Sequence, residues 1–326
     1  MEPINIQDGE VVTEDGIYSM SMDWYHAQPC LGPSISSTGL RTIYHESPAD
    51  FWAYSDLNED RYEREGSDAF TFGRAAHALL LGDEVFSEKF AVVPIDAPPK
   101  PTTAQISARL QGRVSDSAKE RFDFWDAFAA EAAGRDLLSY ADLTHIERMA
   151  RVMEAHPIVP LLLEGQVEQS FIWQDEKTGV WLKSRLDVLA STGDFADLKT
   201  TRQKDPALLL RDVRKRGYDM QLGLATIALE KVVGVPFTAE EYAGRSAVLI
   251  FVYKGPPYHV MPVEVDYDAL YWARLKVRHA LDQFAECMKT GHWPGPADNI
   301  LTYTSAYEAE QLQEKQAAGM FPNSAD

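Results

Sequence analysis

After Pro160 the spacing of apolar residues changes from the three-and-four rhythm of amphipathic helices to alternation. The stretches "QVEQSFIWQ", "GVWLKSRLDVLA" and "DFADLKTT" are three successive strand candidates. Upstream, the helical rhythm predicts a helix over "SSTGLRTIYHESPADFWAY", with Ser37 as N-cap and Pro48 as a break or a fresh start. A short apolar helix, "FTFGRAAHALLLG", carries one histidine and ends at Gly82; "AVVPIDAPPKP" reads as a strand end and a Pro-rich loop. Helices are expected at about 103–132, 140–155, 206–233 and 266–289, and strands at 247–253 and 258–264. Residues 1–36, interrupted by Pro29 and Pro33, read as irregular, 37–292 as the main domain, and 293–326 as a tail ending in a polar helix expected to be mobile. This order predicts an α/β fold, a mixed central sheet flanked by helices, with an N-terminal helical arm.

Alternation in the second strand puts Trp181, Lys183, Arg185 and Asp187 on one face and Leu182, Leu186 and Val188 on the other. In the third strand Phe195, Asp197 and Lys199 share a face, opposite Ala196 and Leu198. A two-residue turn would pair Asp187 with Leu198. The three-residue loop Ser191-Thr192-Gly193 pairs Asp187 with Asp197 and gives Gly193 the left-handed position, and it is the expected one. Cross-strand carboxylates ~4.5–5.5 Å apart at Cβ repel, and one is driven towards protonation unless a cation lies between them. A hard divalent ion is the natural solution, and Mg²⁺ characteristically takes one or two carboxylates plus a substrate phosphate. Lys199 on the same face suits orienting or deprotonating an attacking water, or neutralising charge on a phosphate. The bland alternative is a surface hairpin with solvated Lys–Asp pairs worth little; the apolar setting weighs against it.

Composition narrows the function. The net charge of −19 excludes a simple basic coat for nucleic acid, so any DNA contact has to come from a local basic surface. Cys30 and Cys287 are too few for a disulfide framework, a four-cysteine zinc site or an iron–sulfur cluster, and fit a reducing compartment. "MEPINIQDGE" lacks signal-peptide layout and "AVLIFVY" is too short to span a bilayer, so a cytoplasmic protein without membrane contact is expected. Local positive charge lies in "RDVRKRG" (Arg211, Arg214, Lys215, Arg216) and at Arg109, Arg113, Lys119 and Arg121. Either set is by default a solvated helix face; the first is the better phosphate candidate because it adjoins the third strand. Ser36, Ser37 and Arg41 at a predicted helix N-terminus make an anion site fit for a 5′ phosphate, although plain capping explains the serines equally well.

The segment "DVLASTGDFADLKTT" resembles the D…(D/E)xK core of the PD-(D/E)xK nuclease superfamily, written here as Asp187, Asp197 and Lys199. With "YHAQPCLGPSISSTGLRTIYHESPADFWAY", "FGRAAHALLLGDEVFSEKFAVVP" and "VEQSFIWQDEKTGVWLKSRLDVL", in that order, the chain resembles RecE-type exonuclease VIII and its phage, lambda exonuclease-like relatives over roughly residues 17–290. The resemblance implies an enzyme using one or two Mg²⁺ or Mn²⁺ ions to digest linear double-stranded DNA from 5′ ends. It also implies 3′ single strands left for a single-strand annealing partner in recombination, and a homo-oligomeric ring around DNA. It makes His77, in "GRAAH", a metal ligand, where a lone helix histidine is otherwise more often a satisfied core residue. Glu168, in "VEQSF", is implied to bind metal directly or through water, or is a solvated strand-edge glutamate; the Leu198 carbonyl is a further ligand candidate. Gln221, in "YDMQLGLA", is implied to position water or phosphate; Ala225 replaces the tyrosine usual in related nucleases, and Tyr218 is its candidate substitute and a DNA contact. Two alternatives stay open: an endonuclease on the same fold, and a non-catalytic module that binds DNA ends or protein.

Overall fold

The three alternating segments form the centre of the molecule. The computed structural model describes residues 2–63, 68–82, 86–297, 313–314 and 316–319. Its N-terminal part holds β1 (Ile4–Asn5), β2 (Gly16–Ser19), α1 (Met22–His26), β3 (Ser34–Ser36), α2 (Ser37–His45) and α3 (Pro48–Ala53). Then come α4 (Asp68–Leu80), α5 (Phe86–Lys89), β4 (Phe90–Val93), α6 (Thr103–Leu110), α7 (Asp116–Ala132), β5 (Asp136–Ser139), α8 (Tyr140–Glu154) and α9 (Val159–Leu162). The central strands are β6 (Gln166–Gln174), β7 (Trp181–Leu189) and β8 (Phe195–Thr201). They lead into α10 (Pro206–Lys215), α11 (Tyr218–Ala228) with a π-helical turn at Leu229–Val233, α12 (Ala239–Tyr242), β9 (Ala247–Tyr253), β10 (Val260–Glu264) and α13 (Tyr267–Thr290).

The main sheet runs β1-β2-β6-β7-β8-β9-β10, with β3 added alongside β7. It is mixed: β6, β7 and β8 form an antiparallel meander, whereas β8 and β9 are parallel. One face packs Ile35, Leu40, Phe195, Leu249, Leu224 and Phe284 into a core shared with α2, α11 and α13. The other packs Leu198, Val188 and Ile250 against Ala75 and Ala76 of α4 and Ile146 and Met149 of α8. This is the expected α/β architecture, a mixed sheet with helices on both faces. Among the described residues, no helix is long and apolar enough to cross a membrane.

Several expectations need correction. Residues 1–36 are not irregular: β2 pairs with β6, β3 pairs with β7, and α1 lies between them. These strands are too short to show a period, and their ladders come from neighbours distant in sequence. Ser37 is the first helical residue of α2, and Ser36 is the N-cap. Pro48 does start a fresh helix, with Ser47 Oγ accepting from the Asp50 N–H. The helix expected at 103–132 is two helices, with Ser115 as the second N-cap. The one expected at 206–233 breaks at Gly217, where φ is +66°. The beginning of the tail is docked: Trp293 stacks on Trp52 at 4.4 Å between ring centroids. Most of the polar helix expected beyond it lies outside the described residues.

Candidate active site

A fork in the sheet sets the site. β7 pairs with β3 through Trp181, Leu182 and Lys183, and with β8 through Val188 and Leu189. Among the described residues, 184–187 have no strand neighbour on that edge, so the backbone opens into a notch with Asp187 at its apex. The hairpin loop is the three-residue one. Ala190 N–H donates to Asp194 O at 2.8 Å, Gly193 N–H donates to Ala190 O at 3.0 Å, and Gly193 has φ +89°. Continuing the register of Val188 with Ala196 sets Asp187 across from Asp197. In β8 the expected alternation holds: Ala196 and Leu198 pack on the α4 side, Phe195 on the other. In β7 it shifts at Asp187. Leu182 and Leu186 pack in one core and Val188 in the other, because the strands splay there and turn Asp187 into the gap.

α4 brings His77 to the notch from the second layer. Its apolar neighbours Ala75, Ala76 and Ala78 bury against Val188 and Leu198, which fixes the helix on the sheet. His77 Nε2 lies 2.7 Å from Asp187 Oδ2, and the same oxygen accepts the Leu198 N–H at 2.7 Å. On the other edge β6 pairs Val167 with Val188 and Gln169 with Leu186, leaving Glu168 opposite Asp187. Glu168 has φ +55°, a left-handed backbone that costs a non-glycine residue ~1–2 kcal/mol. The kink turns its carboxylate to Arg185 Nη2 at 2.5 Å and His77 Nδ1 at 3.3 Å, so it is not a solvated strand-edge residue. Nothing in the sequence marks Arg185 apart from its position on that strand face. Its charge on the same face as Asp187 was the available signal.

Asp197, on the opposite strand, pairs with Lys199 and accepts from Gln221 Nε2 at 2.5 Å through Oδ1. Asp187 and Asp197 are 8% and 3% exposed, which removes the solvated-hairpin alternative. Three carboxylates (Glu168, Asp187, Asp197) thus meet three basic groups (His77, Arg185, Lys199). Burial works against the His77 imidazolium, but the Asp187 charge and hydrogen bonds to Asp187 and Glu168 outweigh it and raise the pKa to about 10. Burial also favours neutral Glu168, yet His77 and Arg185 more than reverse this, to about 2. Asp187 is held below the usual carboxylate range, burial being outweighed by His77, Lys199 and the Leu198 N–H. Asp197 moves up to about 6, because burial and the Asp187 charge together exceed the pull of Lys199. The two aspartates therefore share one electrostatic site. Burial pulls the Lys199 pKa down, but the charges of Asp197 and Asp187 outweigh it and raise it above its ordinary value. In its charged form Lys199 is suited to orienting water or neutralising phosphate charge.

Tyr218 lies between the notch and a basic pocket. Its ring centroid is 5.3 Å from Lys199 Nζ and 5.7 Å from the Arg41 guanidinium. Ala225, seven residues on, is buried in the core, so Tyr218 is the aromatic residue that meets Lys199. The pocket, about 550 Å³, is lined by Arg41, His45, Lys215, Arg216 and Tyr218, with Thr38, Glu46 and Asp212 also on its wall and Asp212 3.9 Å from Arg216. Arg41 donates to Arg216 O and Thr38 Oγ1, each at 3.3 Å, and its Nε is buried without a hydrogen-bond partner. Gly217 allows this approach, since a Cβ there would lie 2.8 Å from His45 Nε2 and 2.9 Å from Arg41 Cγ. Arg211 and Arg214 are exposed on α10 and do not line the pocket, nor does Ser37. Thr38 and His45 were not foreseen, being ordinary helix residues until α10 packs beside them.

Among the described residues, no group of three or more His, Cys, Asp or Glu side chains already surrounds a common point as metal ligands would. The donor chemistry nevertheless fits a divalent cation. Carboxylates and an imidazole suit Mg²⁺ or Mn²⁺. Asp197 Oδ2 is buried without a hydrogen-bond partner, its tie to Lys199 being an ion pair alone. The raised Asp197 pKa marks negative charge that a cation would relieve.

Among curated proteins none matches this chain. Among solved structures, one from Eubacterium rectale, provisionally designated an exonuclease, is 16% identical and covers 88% of this chain and 93% of its own, with a TM-score of 0.46. A likeness at that level carries no argument about activity. Residues 36–305 match the PDDEXK-like domain of unknown function DUF3799. The chain belongs to that family, and with it to the PD-(D/E)xK nuclease superfamily.

Proposed function

We propose that the protein is a divalent-metal-dependent exodeoxyribonuclease of the RecE type. In this reading it hydrolyses linear duplex DNA from 5′ ends in the cytoplasm, acts as a ring of identical subunits, and leaves 3′ strands for an annealing protein. The observation that carries the reading is the buried, mutually coupled set Asp187, Asp197 and Lys199 at the strand fork, with His77 and Gln221 in direct contact with the two aspartates. Asp187, Asp197, His77, Glu168 and the Leu198 carbonyl are the groups to hold one or two Mg²⁺ or Mn²⁺ ions. Such an ion supplies Lewis-acid stabilisation of charge developing on the scissile phosphate.

The remaining roles belong to the chain itself. Lys199, held charged by its two aspartates, orients the attacking water and neutralises phosphate charge. Gln221 holds Asp197 through Oδ1, while Oδ2 pairs with Lys199. Glu168, itself paired with Arg185, contacts His77 Nδ1 and fixes the orientation of the imidazole. The Arg41–Lys215–Arg216 pocket, joined to Lys199 through Tyr218, receives the 5′ phosphate; Ser37, Arg211 and Arg214 lie further out as backbone contacts.

The test is release of nucleotides from linear and from covalently closed circular duplex in Mg²⁺. The exonuclease reading requires loss of the linear molecule and survival of the circle. Cutting of the circle assigns an endonuclease, and DNA binding without hydrolysis of either assigns a non-catalytic module.

A further inference from the structure

A second basic group lies outside the Arg41 pocket, at the C-terminal end of β8 and β9. Thr201 O accepts the Lys254 N–H at 2.9 Å, which ties the end of one strand to the start of the loop after the other. Arg202 and Lys204 follow directly on the β8 side. In a chain with 50 acidic residues, several cations are paired with carboxylates, as Lys177 is with Asp282, Lys231 with Glu176 and Arg278 with Asp175. Among the described residues Arg202, Lys204 and Lys254 form no ion pair with a carboxylate. The lysines instead lie over aromatic rings, Lys204 over Tyr253 at 4.8 Å and Lys254 over Phe72 at 4.6 Å. Tyr253 belongs to β9 and Phe72 to α4, so each lysine, although it lies beyond a strand end, is placed against a ring of a regular element.

The position relative to the notch is specific. Phe72 lies on α4, the helix that delivers His77, and Arg202 is three residues beyond Lys199, just past the end of β8. That is roughly 10 Å along the strand, on the order of three nucleotide steps of duplex rise. The ammonium of Lys254 is lowered first by burial and then by the Arg202 charge, with Asp142 only partly offsetting them. The Arg202 guanidinium and the Lys254 ammonium thus repel each other, Asp142 offsets this only in part, and an anion beside them would relieve the rest.

We propose that Arg202, Lys204 and Lys254 form a second phosphate-binding rim, which grips the nucleic-acid backbone beyond Lys199 and separately from the Arg41 pocket. The substrate is thus held on two sides of the scissile position. This rests on the nuclease reading and adds to it a binding surface.

The experiment is binding of a fluorescent duplex oligonucleotide in EDTA across a salt series, so that no cutting intervenes. The variant Arg202→Ala/Lys204→Ala/Lys254→Ala is compared with wild type. A control, Arg61→Ala/Lys177→Ala/Lys231→Ala, removes equal charge from cations already tied to carboxylates. The rim variant is expected to bind on the order of tenfold or more weakly near 0.1 M salt, with a log–log salt slope shallower by about 2 to 3. The control should change neither comparably. Wild-type affinity and slope in the rim variant, or equal weakening in the control, overturn the rim while leaving the nuclease reading intact. Wild-type protein that neither binds nor cuts duplex overturns both.

Discussion

His77 Nε2 and Asp187 Oδ2 are 2.7 Å apart, although 110 residues separate them in the chain. The contact joins α4 to the strand fork and gives the buried Asp187 its nearest counter-charge. Replacing the imidazole leaves that carboxylate with only the Leu198 N–H and the more remote Lys199. His77→Ala should therefore lower stability by about 3–5 kcal/mol, the usual consequence of removing one member of a buried pair. Urea denaturation in EDTA measures it. A loss below about 1 kcal/mol would mean that the pair is exposed and screened.

Gly217→Ala should be costly for two separable reasons. The backbone is left-handed there, which costs an L residue ~1–2 kcal/mol. The added methyl group also meets Arg41 and His45. Melting temperature should fall, and duplex binding should weaken beyond what the stability loss explains, because Arg41 must move. Wild-type binding by folded Gly217→Ala protein would detach the Arg41 pocket from DNA.

Lys183 predicts a pH dependence unconnected with the notch. It is 3% exposed, and Nζ donates to Tyr25 O and Ala27 O at 2.8 Å each. Burial lowers its pKa from the ordinary 10.5 to about 8. Between those values the unfolded chain carries a proton that the folded chain does not, so unfolding takes up a proton and rising pH opposes it. Relative to Lys183→Met, the wild type should gain up to about 3 kcal/mol between pH 8 and 10.5, and nothing below pH 8. Denaturation at several pH values checks this; a flat difference would show that the folded pKa is unshifted.

The centre of this site was legible because its signals are local. Alternation marked β6 to β8, and Gly193 after Ser191 and Thr192 marked a loop length that aligns two aspartates. The neighbouring details were not local. Alternation shifts at Asp187 because β7 changes partners from β3 to β8, and a left-handed backbone at Glu168 turns its carboxylate to Arg185 and His77. Neither partner change nor left-handed glutamate leaves a periodic trace. Ser36, not Ser37, caps α2 because the preceding residues are held in a strand beside β7, a fact of tertiary pairing. The rim lysines carry no sequence signal, because isolated cations in an acidic chain differ only in the partners that folding brings to them.

The central claim is that the ammonium of Lys199, poised between two aspartates on a strand fork, acts on a phosphodiester. Its most direct test is Mg²⁺-dependent nucleotide release from linear duplex by wild type, Lys199→Ala and Lys199→Gln, with circular dichroism to verify folding. The account predicts turnover by wild type and loss of at least ~10²-fold, about 2.7 kcal/mol or more of transition-state stabilisation, in both folded variants. Undiminished turnover by either folded variant would contradict it.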